Sequence, residues 1–372
     1  MKTCGIICEY NPFHNGHKYQ IEQVKKKTNA DIMIAVMSSH FTQRGEPACI
    51  DKWKRAEAAV KNGIDVVIEL PYLYSTQAAS QFAQGGVELL KLCDVDYISF
   101  GSECGNLENL LEIADTPVNL NHIREIMDTG VSFPKAYSLL TSQMEPNDIL
   151  AVCYLKAIKD SKIKPILIQR NTGYFDEEIQ PIASAYAIRN ALMNHESISS
   201  STPMEDTLNT SFIVTMDQFY PYIRTYLTMT PSTTLSKIFL ITEGIENHLK
   251  KCAEISETYE EFLNNATTYR YTSSKIRRCL DQIMMQITKE DVKQLGKPSY
   301  VRILAFNQNG RKWLHEKRKS ELHIASKFAD IPKNWREIEF KATQLYTSVL
   351  DKKERKRILD LEIKGAHYYD NH

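Results

Sequence analysis

Five short and nearly unbroken apolar runs punctuate the first half of the chain: CGIICEY at 4–10, DIMIAVM at 31–37, DVVIEL at 65–70, DYISFG at 96–101 and KPILIQR at 164–170. Runs that do not alternate with polar residues suit strands buried on both faces, as in a parallel sheet covered by helices. Between them, residues 18–28, 52–62, 78–93 and 147–159 read as helices. Strand and helix in alternation predict a doubly wound α/β domain. Past the polar, proline-containing stretch SISSSTPMED at 197–206 the pattern turns helical, over 235–251, 259–265, 273–288 and 334–350. The expectation is two domains, an α/β unit over residues 1–200 and a mainly α-helical unit over residues 201–372.

Ligands of such sheets bind at the carboxyl ends of the strands. The segments to inspect are therefore 9–17, 38–47, 71–75, 101–103 and 170–174. A length of 372 residues fits two domains. Lys plus Arg and Asp plus Glu both number 46, so bulk charge does not announce nucleic acid and any basic surface must be local. The eight cysteines form no CxxC pair and read as free thiols of a reducing cytoplasm. No apolar stretch reaches the roughly 18 residues of a membrane helix, and no leader precedes the first run. The expectation is a cytoplasmic protein with no membrane partner.

His14-Asn15-Gly16-His17 sets two imidazoles three residues apart directly after the first predicted strand. A helix starting near Asn15 lets both rings straddle its first turn. Free N–H groups at such a start favour an anion such as phosphate, and Gly16 lets it approach the backbone. Imidazoles that donate to phosphate oxygens bind more strongly as charge builds in a transition state. An isolated HxxH also occurs as a zinc ligand pair or on an ordinary surface. No Cys/His cluster at metal spacing accompanies this one, and it is neither a P-loop nor a GxGxxG. In IASAYAIRNAL at 182–192, Ser184 precedes an amphipathic helix that carries Arg189. Ser184 can cap that helix and donate to phosphate, and Arg189 offers a bidentate fork. Taken alone, this is equally a capped helix with an exposed arginine.

Together these segments resemble the tRNA(Met) cytidine acetate ligase family within the HxGH nucleotidyltransferase superfamily, whose members split ATP between its α and β phosphates. EYNPFHNGH (9–17), MSSHFTQRGEPA (37–48), DKWKRAEAA (51–59), VIELPYLYSTQAASQFA (67–83), FGSE (100–103) and PNDILAVCYLKAI (146–158) carry the resemblance in the first half. EGIE (243–246), RYT (270–272) and VRILAFN (301–307) extend it through the second. The chain departs from the pattern in IASAYAIR, where the superfamily has I-S-S/T-x-x-I-R, at Tyr269, where a Lys is expected, and at Ala305, where a Gly is expected.

The resemblance implies a Rossmann-like doubly wound parallel sheet of the HxGH nucleotidyltransferase type, followed by a mainly α-helical C-terminal domain that holds tRNA. It implies an ATP-dependent ligase that makes acetyl-adenylate, releases pyrophosphate and acetylates the exocyclic amine of the wobble cytidine of elongator tRNA(Met). ATP and acetate are then co-substrates, with magnesium accompanying ATP. The ATP site would take in Ile7, Cys8, Glu9, Tyr10, Asn11, Pro12, Phe13, His14, Asn15, Gly16, His17, Lys18, Tyr19 and Gln20, with Gly101, Asn147 and Arg170. His14, His17, Ser184 and Arg189 would be catalytic. For tRNA the candidates are Arg44, Lys52, Arg55, Arg270, Lys275, Arg277 and Arg278, with Tyr269 and Tyr271 as stacking surfaces. Arg44 is equally placed to hold acetate, or to pair with Glu46. Each basic cluster is also readable as a solvated face. Two further readings are a small-molecule nucleotidyltransferase with a helical appendage and a non-catalytic RNA-binding protein on a nucleotide fold. No metal ligands and no oligomeric state are assigned.

Overall fold

The computed structural model describes residues 1–116, 144–170, 180–320 and 322–370. Residues 171–174 of the last inspected segment lie outside the described residues. All five apolar runs are strands: β1 (Thr3–Cys8), β2 (Ile32–Ser38), β3 (Val66–Leu70), β4 (Tyr97–Ser102) and β5 (Lys164–Gln169). They pair in parallel in the order β5-β4-β1-β2-β3. Burial on both faces is why the runs of β1 to β4 carry little alternation; β5, at the edge of the sheet, exposes Lys164 and Gln169 and fully buries only Ile168. Cys4, Ile6 and Cys8 face one apolar layer while Ile7, Ile32 and Ile34 face the other. The strand order reverses between β1 and β4, which opens a crevice at their carboxyl ends.

Among the described residues the longer helices of the first half are α1 (Asn15–Thr28), α2 (Lys52–Lys61), α3 (Ala79–Leu92), α4 (Leu107–Asp115), α5 (Pro146–Ile158) and α6 (Ala185–Met193). Gly86 of α3 lies so close to β1 that a Cβ would stand 2.6 Å from the Ile7 side chain. This contact lets the helix settle on the sheet.

The second half is mainly helical: α7 (Tyr220–Met229), α8 (Ile245–Ile255), α9 (Tyr259–Ala266), α10 (Ser273–Met285), α11 (Gln308–Lys317), α12 (Lys333–Thr347) and α13 (Lys352–Lys364). Two details differ from expectation. The helix expected over 235–251 is broken, because Leu240, Glu243 and Gly244 take left-handed backbone at φ 65, 60 and 75°. The VRILAFN segment contains a strand, β6 (Val301–Phe306), which runs antiparallel beside β3 with Val66 opposite Phe306. The two-residue strands β7 (Ile324–Ala325) and β8 (His367–Tyr368) then pair with β6, so among the described residues the sheet has eight strands and is mixed.

A buried ion cluster fastens this addition. Lys52 of α2 contacts Glu69 of β3 at 2.6 Å and Glu362 of α13 at 2.8 Å. Arg302 of β6 contacts the same two carboxylates at 2.7 and 2.6 Å. None of the four side chains is more than 3% exposed. The polar stretch 197–206 also proves to be packed rather than loose. The Thr202 hydroxyl donates to the Phe13 carbonyl at 2.7 Å, and the Ser201 carbonyl accepts from the Asn15 N–H at 3.0 Å.

Candidate functional site

The turn after β1 carries the site. His14 is the N-cap of α1, and its ring Nδ1 accepts the Gly16 N–H at 3.1 Å. His17 reaches back, and its Nδ1 accepts the His14 N–H at 3.2 Å. The pair forms a capping box from two imidazoles, in the places where Ser or Thr and Glu usually stand. A backbone N–H can only donate, so both Nδ1 atoms are acceptors and each neutral ring carries its proton on Nε2. The rings stack with centroids 3.7 Å apart. Burial, reinforced by Arg170 and Arg189, lowers the His14 pKa to about 3. Burial, then His14 and Arg170, holds His17 well below the ordinary imidazole value. Both are therefore neutral Nε2–H donors at physiological pH.

Gly16 also has a reason within the chain. A Cβ there would stand 2.9 Å from Cε1 of His14, so the missing side chain makes room for the imidazole. Asn15 anchors the same turn by donating to the Pro181 and Ser200 carbonyls at 3.0 and 2.9 Å.

The turn opens into a cavity of about 440 Å³. Of the ATP candidates, Ile7, Cys8, Glu9, Tyr10, Asn11, His14, His17, Gln20, Gly101, Asn147 and Arg170 line it. Gly16 and Tyr19 line a smaller recess beside it. Pro12 and Phe13 are buried in the fold, Asn15 faces the 197–206 stretch, and Lys18 points to solvent. Ser184 caps α6 by accepting the Ala187 N–H at 3.0 Å. Arg189 donates to the Asn11 carbonyl at 2.7 Å, docking α6 against the histidine turn. Both residues line the cavity.

Glu9 turns its carboxylate to the neighbouring loop, where Oε1 accepts the Gln43 N–H at 2.6 Å. Burial raises its pKa, against the lowering effect of that hydrogen bond and of Arg44, Arg189 and Arg55. On the β4 side Asn147 donates to Glu103, which also faces Arg170 at 3.9 Å. Asp148, which the sequence reading passed over beside Asn147, accepts from the Ser102 hydroxyl and from the Glu103 and Cys104 N–H groups. It fixes the end of β4 where Gly101 meets the cavity. Thr272, Ser274 and Arg278, on or capping α10, complete the far wall.

The basic candidates separate. Lys52 and Arg55 are corrections, because both are fully buried and neither can meet tRNA. Their one-turn spacing resembles a solvated face, yet Lys52 sits in the ion cluster. Arg55 donates to the carbonyls of Ile50, Glu9, Ser38 and Ser39 and so ties together the ends of β1 and β2. Arg277 pairs with Glu46 at 3.1 Å, while Arg44 lines the cavity. Arg270 and Lys275 both face Glu243, at 3.4 and 3.5 Å. Tyr271 is 8% exposed and donates to the Glu243 carbonyl at 3.1 Å, which removes it as a stacking surface. Tyr269 is 65% exposed and keeps that role open. Ala305 stands in β6 and does not line the cavity. Among the described residues no group of three or more His, Cys, Asp or Glu side chains is placed to hold a metal ion, and no helix is long and apolar enough to cross a membrane.

A model of the HIGH nucleotidyl transferase family matches residues 1–360. The tRNA(Met) cytidine acetate ligase of Lysinibacillus sphaericus strain C3-41 is 37% identical, over 93% of this chain and 94% of its own. That of Limosilactobacillus reuteri strain DSM 20016 is 39% identical, over 86% and 88%. Among solved structures, Thermotoga maritima TmcAL in an apo form is similar with a TM-score of 0.89 at 30% identity, over 99% of this chain and 100% of that one. TmcAL bound with alpha-thio ATP gives a TM-score of 0.88 at the same identity and coverage.

Proposed function

The chain belongs to the tRNA(Met) cytidine acetate ligase family, and we propose that it activates acetate with ATP and passes the acetyl group to the wobble cytidine of elongator tRNA(Met). It is a ligase on a nucleotidyltransferase fold. The observation that carries the reading is the pair of neutral Nε2–H donors at the β1/β4 crevice, walled by Ser184, Arg189 and Arg170. Phosphates between the histidine turn and α6 would meet His14, His17, Ser184 and Arg189, which all line the cavity.

In the first step an acetate oxygen attacks the α-phosphorus and pyrophosphate leaves. Acetate is ionised far above its pKa of about 4–5, so no general base is needed. The site contributes positioning and charge neutralisation. His14 and His17 donate Nε2–H bonds to phosphate oxygens, and each such donor is worth roughly 2.7–4 kcal/mol of barrier. Neutral rings suit this role, because they hold a fixed donor without repelling the adjacent arginines. In the second step the cytidine amine attacks the acetyl carbonyl, the acyl C–O bond to the phosphate breaks, AMP leaves with the electron pair, and the amine's proton passes to solvent. Magnesium would travel with the triphosphate, which supplies its main ligands when a protein offers few carboxylates. Arg270, Lys275 and Tyr269, on or just before α10, are the second half's candidates for tRNA, and binding through them would weaken steeply with salt. The setting is the cytoplasm, where ATP, acetate and tRNA coexist.

Purified protein with ATP, labelled acetate and tRNA(Met) tests the reading. Acetate-dependent AMP and pyrophosphate release, with label on the anticodon cytidine, is expected. Pyrophosphate release indifferent to acetate and tRNA refutes it. His17→Ala should abolish adenylate formation and leave tRNA binding intact.

A further inference from the structure

Arg170, Arg189, Arg44 and Arg278 line the same cavity as the histidine pair. Arg189 donates to the Asn11 carbonyl at 2.7 Å, beside the histidine turn. The Gln43 N–H donates to Glu9, and Arg278 Nη1 donates to the Gln43 carbonyl at 3.4 Å, so Arg278 meets the loop that carries Arg44.

Arg278 reaches this place because the loop carrying Arg44 lies flat on α10. Gly45, at φ 74°, comes so close that a Cβ would stand 2.3 Å from the Arg278 nitrogen. With the loop against the helix backbone, the Arg278 side chain extends along it into the cavity. The preceding arginine, Arg277, is taken up by Glu46. Burial lowers the Arg278 pKa, Cys279 and Asp281 raise it, and the positive charge of Arg44 lowers it again. Both guanidiniums line the same cavity, and a small anion between them makes charge-assisted contacts with each.

In the reading above the triphosphate takes the histidine pair, Arg170, Arg189 and Ser184, which all line the cavity. The reaction brings a second, small anion that must lie beside the α-phosphate. We propose that Arg44 and Arg278 form the carboxylate subsite for acetate, next to the phosphate end marked by Arg189, so that the helical half contributes directly to adenylate formation. The inference rests on the acetate-activating reading above. One carboxylate oxygen forms a bond to the α-phosphorus as the bond from that phosphorus to the α–β bridging oxygen breaks. The electron pair leaves with pyrophosphate and no proton moves. Two anions have to be brought to about 3–3.5 Å for this, and a cationic pair shared at their boundary removes the electrostatic obstacle.

The test compares wild type, Arg278→Ala, Arg278→Lys and Arg44→Ala in the full-length chain. Four readouts are needed: the acetate KM of pyrophosphate release, binding of alpha-thio ATP without acetate, binding of tRNA(Met), and acetyl transfer to tRNA from added acetyl-adenylate. Both alanine variants should raise the acetate KM at least tenfold, and Arg278→Lys should raise it less. ATP-analogue binding, tRNA binding and transfer from acetyl-adenylate should stay within about twofold of wild type. Arg44→Ala covers the case in which loss of the Arg278–Gln43 contact unfolds the other alanine variant. An unchanged acetate KM in both alanine variants overturns the assignment. Weakened tRNA binding at an unchanged acetate KM does the same and returns Arg278 to the RNA. If wild type itself releases no pyrophosphate in response to acetate, the functional reading fails rather than the subsite.

Discussion

Glu362→Gln is the substitution whose cost follows most directly from the packing. Glu362 sits on α13, fully buried, at 2.8 Å from Lys52 and 2.6 Å from Arg302. Burial alone would raise its pKa, but the charges of Arg302 and Lys52 overcome that effect and hold it below the ordinary carboxylate value. In wild type two cations face two carboxylates. Glutamine leaves Lys52 and Arg302 sharing Glu69 alone, with one positive charge uncompensated in the core. Breaking a buried pair in this way costs about 3–5 kcal/mol. A chain of this size loses on the order of 2 °C per kcal/mol, so the melting temperature should fall by roughly 6–10 °C. Melting followed by circular dichroism at pH 7 measures it. The double variant Lys52→Met/Glu362→Gln leaves Arg302 opposite Glu69 in balance and should recover at least half of the loss. A depressed carboxylate stabilises above its unfolded pKa and loses that contribution as pH falls through the folded value. The difference between wild type and Glu362→Gln should therefore shrink below about pH 4.5. A fall of less than about 2 °C, or a double variant no better than the single, refutes the ion-cluster account.

Three further outcomes follow. His14 is neutral in the fold at a pKa of about 3 against the ordinary 6.5, so the unfolded chain takes up the proton first as pH drops. Stability should fall by about 2 kcal/mol from this residue between pH 7 and pH 5, and a His14→Gln variant with an equally steep acid limb in denaturant titrations contradicts it. Gly16→Ala puts a methyl against the His14 ring and also 3.4 Å from Ile182. It should reduce kcat for adenylate formation by about tenfold or more with the melting temperature little changed, and full activity contradicts the donor geometry. Glu339 is raised to about 8 by burial, then by the charge of Glu69, so it remains protonated where the unfolded chain ionises. Glu339→Gln keeps an acceptor for the Tyr72 N–H and should raise the melting temperature at pH 8 but not at pH 4; no gain at pH 8 contradicts the shift.

The parts of the fold that could be read from the sequence are those whose residues answer to one local environment. Strands β1 to β4 were visible because burial on both faces writes itself as an unbroken apolar run, and edge strand β5 because Ile166, Leu167 and Ile168 follow one another. The histidine turn was visible because its position after β1 gave a bare HxxH a meaning. What escaped depends on distant partners. VRILAFN is as apolar as the other runs, but nothing local says that it returns to β3 rather than packing among helices. Lys52 and Arg55 have the charge and spacing of a solvated face. Only Glu69 and Glu362, far away in the chain, and the carbonyls at two strand ends explain their burial. The polar stretch 197–206 looks like a linker until Ser201 and Thr202 are seen to hydrogen-bond to Phe13 and Asn15. The contact of Gly16 with the His14 imidazole could not be read from the sequence either, because it depends on how that ring folds back on the turn.

The antiparallel seat of β6 beside β3 also sets a clock on synthesis. Strand β3 ends at Leu70 and β6 begins at Val301, about 230 residues later. At roughly 5–20 residues per second a ribosome needs about 10–50 s to cover that interval. Throughout it the outer edge of β3 stands open, and Glu69 lies in the nascent sheet without Arg302 or Glu362. A charged residue within an open edge strand discourages pairing with other chains. The same carboxylate that later joins the ion cluster thus first guards the growing polypeptide, until the strand that needs it has emerged.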